Sequence, residues 1–319
     1  MRHDTPSQLI AAANPVNVSA DAANSPEARA ALQRILLDPA AATVEPPHRR
    51  RWTYVVAGLA TAASVMVALP LFGGSNAPVF AATPPLLSAS HTPTPTGATA
   101  TLRSLAETVS ALPDDVGSGS VAQVSMQSWS LFTRIDGSEV QSEVVPQAET
   151  IRTQPDGTTS VLTEYVYQGE AYEENFSTRD ELNYPITGLS SDDNELARQL
   201  AIGQPAANGT AGSFDSIVQA YRQAPIEPAT RAAILRFVAS RAGVETIGTV
   251  KDRLGREGVG FTVDSSYSGL PTRYTLIFDT QDGRLLGYEE MLTSDAGKLN
   301  VRTPAVIQYI AFEKSEFVE

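Results

Sequence analysis

A stretch of uncharged residues, Trp52–Phe72, constrains this chain more than any other feature of its sequence. It is 21 residues long, and an α-helix needs about 20 apolar residues to cross the core of a bilayer. Arg49, Arg50 and Arg51 precede the stretch, and no lysine or arginine follows it until Arg103. By the positive-inside rule, this asymmetry predicts a single-pass protein of the cell membrane, with a cytoplasmic N-terminus and an extracytoplasmic C-terminal domain.

Two other interpretations of this stretch remain open. It could be a buried helix of a globular domain, although 21 uncharged residues behind three arginines are unusual for one. It could also be a cleaved export signal, because the small residues from Ala77 to Ala82 resemble a cleavage site near Ala81. Export signals, however, have apolar regions of about 7–15 residues that follow a short basic segment.

The predicted cytoplasmic tail, residues 1–51, contains one short amphipathic helix over residues 26–37. A serine cap and a proline favour its start, and Leu32, Ile35 and Leu36 continue a single apolar stripe. About twelve residues are too few for a stable isolated helix. The helix therefore either docks on a partner through these three residues or frays in water.

Composition changes again after the predicted transmembrane helix 52–72. Residues 73–100 are rich in proline and threonine and predict an extended linker. Residues 101–319 alternate between helical and strand patterns, which predicts an α+β domain: an antiparallel sheet with helices packed on one face. Strands are expected at 121–135, 143–153, 158–168, 244–250, 258–264, 273–278, 285–292 and 305–312, and helices at 102–112, 192–202, 214–223 and 228–242.

Charge and residue usage exclude several functions for this domain. Residues 73–319 carry 17 basic against 31 acidic side chains, and such a surface repels nucleic acid. The chain has no cysteine, and its histidines, His3, His48 and His91, all precede the domain. A Ser-His-Asp triad, a Cys-His pair and a histidine-ligated zinc site are therefore excluded within it. No catalytic, metal or cofactor-binding residue is predicted, and no cofactor.

Neighbouring carboxylates are the remaining candidates for chemistry. Four such pairs occur: Asp114-Asp115, Glu173-Glu174, Asp192-Asp193 and Glu289-Glu290. Two acids could serve glycoside hydrolysis, and a loose calcium site is a further alternative, although no EF-hand spacing is present. Adjacent residues on a strand point to opposite faces, and acids at a helix start suit the helix dipole. The pairs are therefore expected to be structural.

The chain resembles a family of actinobacterial single-span membrane proteins that are encoded beside extracytoplasmic-function sigma factors. The resemblance rests on residues 13–16, the arginine triplet with its single span, and two outer segments, 243–256 and 277–287. It implies membrane-linked regulation of transcription or envelope sensing, and it supplies no catalytic residue. The tail lacks the zinc-binding histidine and cysteine residues of many anti-sigma domains.

We therefore expect a non-enzymatic, single-pass membrane protein whose outer domain senses or binds an envelope component, either a lipid or a peptide. Its partners would be the lipid bilayer and a cytoplasmic sigma factor or related regulator, contacted through Leu32, Ile35 and Leu36. The alternative is a membrane-tethered carrier that holds lipid or lipoprotein in an apolar groove. A carboxylate-dependent hydrolase is a third interpretation.

Overall fold

The computed structural model describes residues 80–89, 97–136, 139–167, 169–178 and 188–319. The predicted tail with its helix 26–37 and the predicted span 52–72 lie outside these residues. Among the helices that are described, none is both long and apolar enough to cross a membrane.

A nine-stranded antiparallel sheet dominates the described residues. Its spatial order is β4-β3-β2-β1-β9-β8-β7-β6-β5, so that β9 lies between the two halves of the sheet. The strands are β1 (Val121–Asp136), β2 (Glu139–Thr153), β3 (Thr159–Tyr167), β4 (Glu170–Thr178), β5 (Glu245–Lys251), β6 (Glu257–Ser265), β7 (Thr272–Phe278), β8 (Leu285–Leu292) and β9 (Ala305–Val318).

Four α-helices accompany the sheet in this part of the chain: α1 (Ala98–Ser110), α2 (Asp193–Leu200), α3 (Gly209–Gln223) and α4 (Pro228–Ala239). Local sequence explains where two of them begin. The Asp192 side chain accepts hydrogen bonds from the backbone N–H groups of Asn194 and Glu195, which caps α2. Pro228 opens α4, where its fixed φ suits the first helical turn.

The predicted α+β class with an antiparallel sheet is confirmed, and one strand was missed. Strand β4 is exposed along nearly its whole length, with Glu173 and Glu174 at its centre. Because it forms the edge of the sheet beyond β3, neither of its faces needs an apolar stripe. The alternation that predicts a half-buried strand is therefore absent, and charged residues are typical of edge strands.

The main hydrophobic core lies between the helices and one face of the sheet. Residues of all four helices described above join strand residues in this single cluster. Leu102 of α1, Phe214 of α3 and Leu235 of α4 are fully buried in it, as are Phe261 and Phe278 of the sheet. Each such side chain stabilises the fold by about 1.5–3 kcal/mol through its removal from water.

The opposite face of the sheet is covered in part by residues 80–89, which we call the strap. Leu87 packs against Val250, Ile277 and Leu286 of three different strands. The strap is also held at its ends, where Ala81 N–H donates to Asn300 O at 3.0 Å and Ala89 forms a bridge with Val250. This part of the predicted linker therefore lies on the sheet.

The neighbours Leu86 and Leu87 test the packing of the strap. Leu86 is 43% exposed, whereas Leu87 contacts the sheet. We expect Leu87→Asp to lower the free energy of unfolding by about 1–3 kcal/mol, because it places a carboxylate against an apolar surface. Leu86→Asp should change it by less than about 0.5 kcal/mol. Urea unfolding of the full-length protein, followed by circular dichroism, measures both; equal effects would contradict the packing.

Candidate functional site

The residues that the sequence assigns to partner binding, Leu32, Ile35 and Leu36, lie outside the described residues. The same is true of Arg49, Arg50 and Arg51, from which the orientation in the membrane is predicted. Both assignments stay predictions, and the candidate site is drawn from the outer domain.

In two of the neighbouring carboxylate pairs, the two acids have different partners. Asp192 caps α2, whereas Asp193 accepts hydrogen bonds from Arg236 of α4 at 2.7–3.0 Å. Glu289 and Glu290 face opposite sides of β8: Glu289 pairs with Arg253, and Glu290 contacts Tyr288 on the helix side. Neither pair brings its two carboxylates together at one point.

A polar pocket of about 270 Å³, here called the Arg231 pocket, is lined by residues of the helix–sheet interface and by Leu286, which belongs to the opposite face of the sheet. It lies where the end of α3, the start of α4, the turn before β8 and the second half of β9 meet. Its lining residues are Asp115, Tyr221, Ile226, Arg231, Arg256, Asp279, Asp282, Arg284, Leu285, Leu286, Phe312, Glu313, Lys314, Ser315 and Glu316.

Arg231 lines this pocket and is almost fully buried, with only 1% of its side chain exposed. Its Nη1 and Nη2 atoms donate to the two carboxylate oxygens of Asp115 at 3.0 and 2.8 Å, and Nη1 also donates to Ile226 O. Arg284 adds a second ion pair to Asp115 at 2.8 Å. Burial alone would raise the pKa of Asp115, but the two arginines outweigh it and hold that pKa below its usual value.

The turn between β7 and β8 forms one wall of the pocket. Asp279 Oδ1 accepts the backbone N–H groups of Gln281 and Asp282, an arrangement that closes the turn. Gly283 adopts φ +69°, and a Cβ there would lie 2.6 Å from a methyl carbon of Val109 in α1. Glycine is therefore required for the turn to pack on α1, which fixes Asp282 and the following residues at the pocket.

Among the residues that line the pocket, three have a side-chain polar atom that is shielded from solvent and has no hydrogen-bond partner among the described residues: Arg231 Nε, Tyr221 Oη and Ser315 Oγ. Tyr221 is only 3% exposed, and burial raises the pKa of its phenol well above the usual value. The charge of Arg231 and a backbone contact with Leu285 act against burial and lower that pKa. Buried polar groups in folded proteins normally have partners.

A bulge in β9 brings Ser315 to the pocket. Met126 pairs with Phe312 and Ser125 pairs with Lys314, so that Glu313 is an extra residue in the ladder. Without it, Phe312 and Ser315, three residues apart, would face opposite sides of the sheet. With the bulge, both lie on the helix side, where the Phe312 ring packs 5.9 Å from the Tyr221 ring.

A second polar group, the Asp215 cluster, lies farther along the interface between α3 and β8. It consists of Asp215 of α3, Tyr267 of the β6–β7 loop, and Tyr288 and Glu290 of β8. The Tyr288 hydroxyl lies 2.6 Å from Asp215 Oδ1 and 3.0 Å from Glu290 Oε1. The Tyr267 hydroxyl donates to the other oxygen of Asp215. Within the described residues, neither carboxylate forms an ion pair.

The hydrogen bonds of the Asp215 cluster require a shared proton. The Tyr288 hydroxyl has one hydrogen to donate, so it can bond to both carboxyl groups only if one of them is protonated and donates in return. Burial raises the pKa of Asp215 to about 6, against the opposing hydrogen bond from Tyr288. Burial, together with the charge of Asp215, raises the pKa of Glu290 to about 7. Glu290 is therefore the group that keeps the proton longer.

A scan against known protein families and a search of curated proteins found no match for this chain.

Sequence reasoning named only some of the residues in these two sites. Glu290 and Asp115 were considered as members of neighbouring pairs, whereas Tyr221, Asp215 and Ser315 were missed. The spacing of Tyr288 and Glu290, two apart on a predicted strand, is a signal that both face one side. No spacing in the sequence indicates that Asp215 of a distant helix meets them.

The Asp215 cluster predicts that stability falls as pH rises. The folded-state pKa values of about 6 and about 7 exceed the ordinary values of 3.8 and 4.5. The folded state therefore binds more protons, and its extra stability is present below about pH 4 and is lost through about pH 7. We expect urea unfolding to give a free energy of unfolding about 4 kcal/mol lower at pH 8 than at pH 5.

The double variant Asp215→Asn with Glu290→Gln is the control for this prediction. It keeps the size of both side chains and all three histidines of the chain, while it removes both titrating carboxyl groups. Its free energy of unfolding should differ much less between the two pH values. A pH dependence equal to that of the wild type would contradict the assignment.

Proposed function

We propose that residues 80–319 belong to the extracytoplasmic binding domain of a non-enzymatic, single-pass membrane protein that senses an envelope component. The observation that carries the proposal is the Arg231 pocket, a polar concavity of about 270 Å³ whose lining includes four basic and five acidic side chains. Small-molecule sites are concave and use a few polar groups to orient the ligand. Arg284 and Lys314 of this lining are 39% and 61% exposed and can therefore contact a ligand.

The geometry of the Asp215 cluster supports a non-enzymatic role for its two carboxyl groups. A glycosidase needs open space between its acid and its base for the glycosidic bond and for water. The Tyr288 hydroxyl occupies the space between Asp215 and Glu290 and is hydrogen-bonded to both. Tyr288 itself is only 3% exposed. The two acids are thus arranged to share a proton with tyrosine inside the fold.

A carrier for lipid or lipoprotein is the second candidate, and exposed aromatic side chains favour it. Phe132 of β1 and Phe176 of β4 are each 50% exposed, and Tyr172 of β4 is 40% exposed. By strand alternation they lie on the same side of the sheet as Val161, which belongs to the main core. An apolar ligand could lie along this side, beyond the helices.

Two observations support a link between the pocket and regulation. The segments that carry the family resemblance, 243–256 and 277–287, supply lining residues of the pocket, among them Arg256, Asp282 and Arg284. The strap, which lies on the N-terminal side of the domain in the chain, is fixed to the same sheet. We propose that the cytoplasmic tail contacts a sigma factor through Leu32, Ile35 and Leu36.

The binding half of the proposal is tested with a small-molecule extract of the source cell's envelope. The extract should raise the Tm of the full-length protein by about 2–4 °C, because a ligand that binds only the folded state stabilises it. The shift should shrink in an Arg284→Gln variant, which changes an exposed side chain of the pocket, and persist in Arg273→Gln, an arginine of similar exposure outside the pocket. An equal shift in all three proteins would place binding elsewhere.

The regulatory half is tested by purifying the full-length protein from membranes and identifying its partners by mass spectrometry. A sigma factor should copurify with the wild type and be lost when residues 1–47 are deleted or when Leu32→Asp is combined with Leu36→Asp. Gln33→Asp, on the polar side of the same predicted helix, should retain it. If all variants capture the same proteins, or if only lipid and envelope proteins copurify, the carrier takes the place of the regulator.

A further inference from the structure

We propose that strand β4 is the edge to which a basic, extended polypeptide segment of a partner protein adds as a further strand of the sheet. The backbone of that segment would pair with β4, and its lysine or arginine side chains would lie beside the glutamates of β4. The inference goes beyond the proposed function, because it concerns a surface and a class of partner different from those of the Arg231 pocket. Three properties of β4 carry it: an open backbone, exposed aromatic side chains and an unbalanced charge.

The two edges of the sheet differ in how they are protected. Strand β5, at one edge, has seven residues, a bulge between Thr246 and Gly248, and a bridge from Ala89 of the strap to Val250. Strand β4, at the other edge, has nine residues and pairs with β3 without a shift of register. Bulges and covering segments protect edges from further pairing. Within the described residues, β4 has neither.

The backbone of β4 offers hydrogen-bonding groups to an added strand. In an antiparallel pair, alternate residues direct both N–H and C=O toward the neighbouring strand, and the residues between them direct both groups away. Since β4 pairs with β3 along its whole length, about half of its residues present both groups at the outer edge. The strand contains no proline, which would remove such a donor. An extended polypeptide is the partner that satisfies a row of this kind.

Acidic and aromatic residues alternate on the helix side of β4: Glu170, Tyr172, Glu174 and Phe176. The side follows from the register, because Phe176 pairs with Val161 of the main core and residues two apart on a strand share a face. Tyr172 is 40% exposed and Phe176 is 50% exposed. An added strand would cover these rings with every second side chain of its own.

Contacts with β3 hold the acidic and aromatic groups in place. The Tyr165 ring stacks on the Tyr172 ring with centroids 5.1 Å apart, and the Tyr165 hydroxyl donates to Glu174 Oε1 at 2.8 Å. The Tyr172 hydroxyl donates to Glu170 Oε2 at 3.4 Å. Each carboxylate therefore lies close to an aromatic residue. A lysine or arginine of an added strand would meet a carboxylate and a ring together, and both attract cations.

Charge decides between a second copy of this chain and a basic partner. Residues 159–178 contain four glutamates and no lysine or arginine, and no ion pair of a β4 glutamate is present within the described residues. Two copies that paired symmetrically about the middle of β4 would set their Glu174 carboxylates against each other. Like charges directly opposite on neighbouring strands destabilise a pair, whereas opposite charges stabilise it. The glutamates thus disfavour a second copy and favour a basic segment.

The nonapeptide acetyl-Val-Thr-Lys-Thr-Val-Thr-Lys-Thr-Val-amide tests the inference. One of its faces alternates valine and lysine, so that it matches the helix side of β4 in either direction. Fluorescence anisotropy of the labelled peptide with the full-length protein should show saturable binding that weakens as salt is added. A peptide with glutamate in place of both lysines should bind about tenfold or more weakly.

Two N-methylated forms of the peptide test whether its backbone pairs. One is methylated at its threonines and the other at its valines and lysines, so that each lacks the N–H donors along one edge. Because only one edge of the peptide would face β4, one form should bind and the other should not. Equal binding by both forms would contradict strand addition.

Charge reversal on the protein locates the binding. Glu170→Lys combined with Glu174→Lys should weaken binding of the basic peptide about tenfold or more and restore binding of the acidic one. Glu245→Lys combined with Glu257→Lys is the matched control: it changes the net charge equally, at exposed positions near the opposite edge. It should bind nearly as the wild type does. Circular dichroism confirms that both variants are folded.

Hydrogen exchange of the backbone amides supplies the last measurement. The bound basic peptide should slow exchange in residues 170–178 and leave residues 245–251 unchanged. No binding, or protection only elsewhere, would reject the inference. Equal binding of the basic and acidic peptides would overturn it in favour of an apolar ligand, and protection that rises with protein concentration without peptide would make a second copy the occupant. The Arg231 pocket is tested separately by the envelope extract, so either proposal can fail alone.

Discussion

The sheet depends on the backbone hydrogen bonds that β9 makes along both of its edges. β1 to β4 form one series of hairpins and β5 to β8 form another, and the two series share no direct strand pair. β9 pairs with β1 on one side and with β8 on the other. Because these contacts join residues far apart in the sequence, they carry a high loop-closure cost and must form before the helices have one continuous surface to cover.

The Arg231 pocket is a direct product of this junction. Ser315 comes from the bulged part of β9, and the turn between β7 and β8 contributes the acidic wall. Helix α3 contributes Tyr221 to the pocket, and helix α4 contributes Arg231. The same junction also positions β8, on which Tyr288 and Glu290 face Asp215. Two sites of different chemistry therefore lie along one helix–strand interface: a pocket lined by charged side chains and, farther along, a pair of carboxyl groups that share a proton.

The amino-acid sequence predicts most of this fold, because its strands alternate and its turns carry strong signals. The turn from Asp279 to Gly283 and the strand Leu285–Leu292 were predicted as they occur. The edge strand β4 was missed because it has no buried face. The pocket could not be predicted, since a one-residue bulge decides which way Ser315 points, and packing between distant segments leaves the Tyr221 hydroxyl without a partner.

The strap has a mechanical consequence. A pulling force on the chain ahead of residue 80 would reach the sheet first through the Ala81–Asn300 hydrogen bond, the apolar contacts of Leu87 and the Ala89–Val250 bridge. Helix α1 would bear that load only after these contacts had parted. Leu87 of the strap packs against Leu286 of β8, and Leu286 also lines the Arg231 pocket. Tension on the strap would therefore pull on a strand that forms part of the pocket.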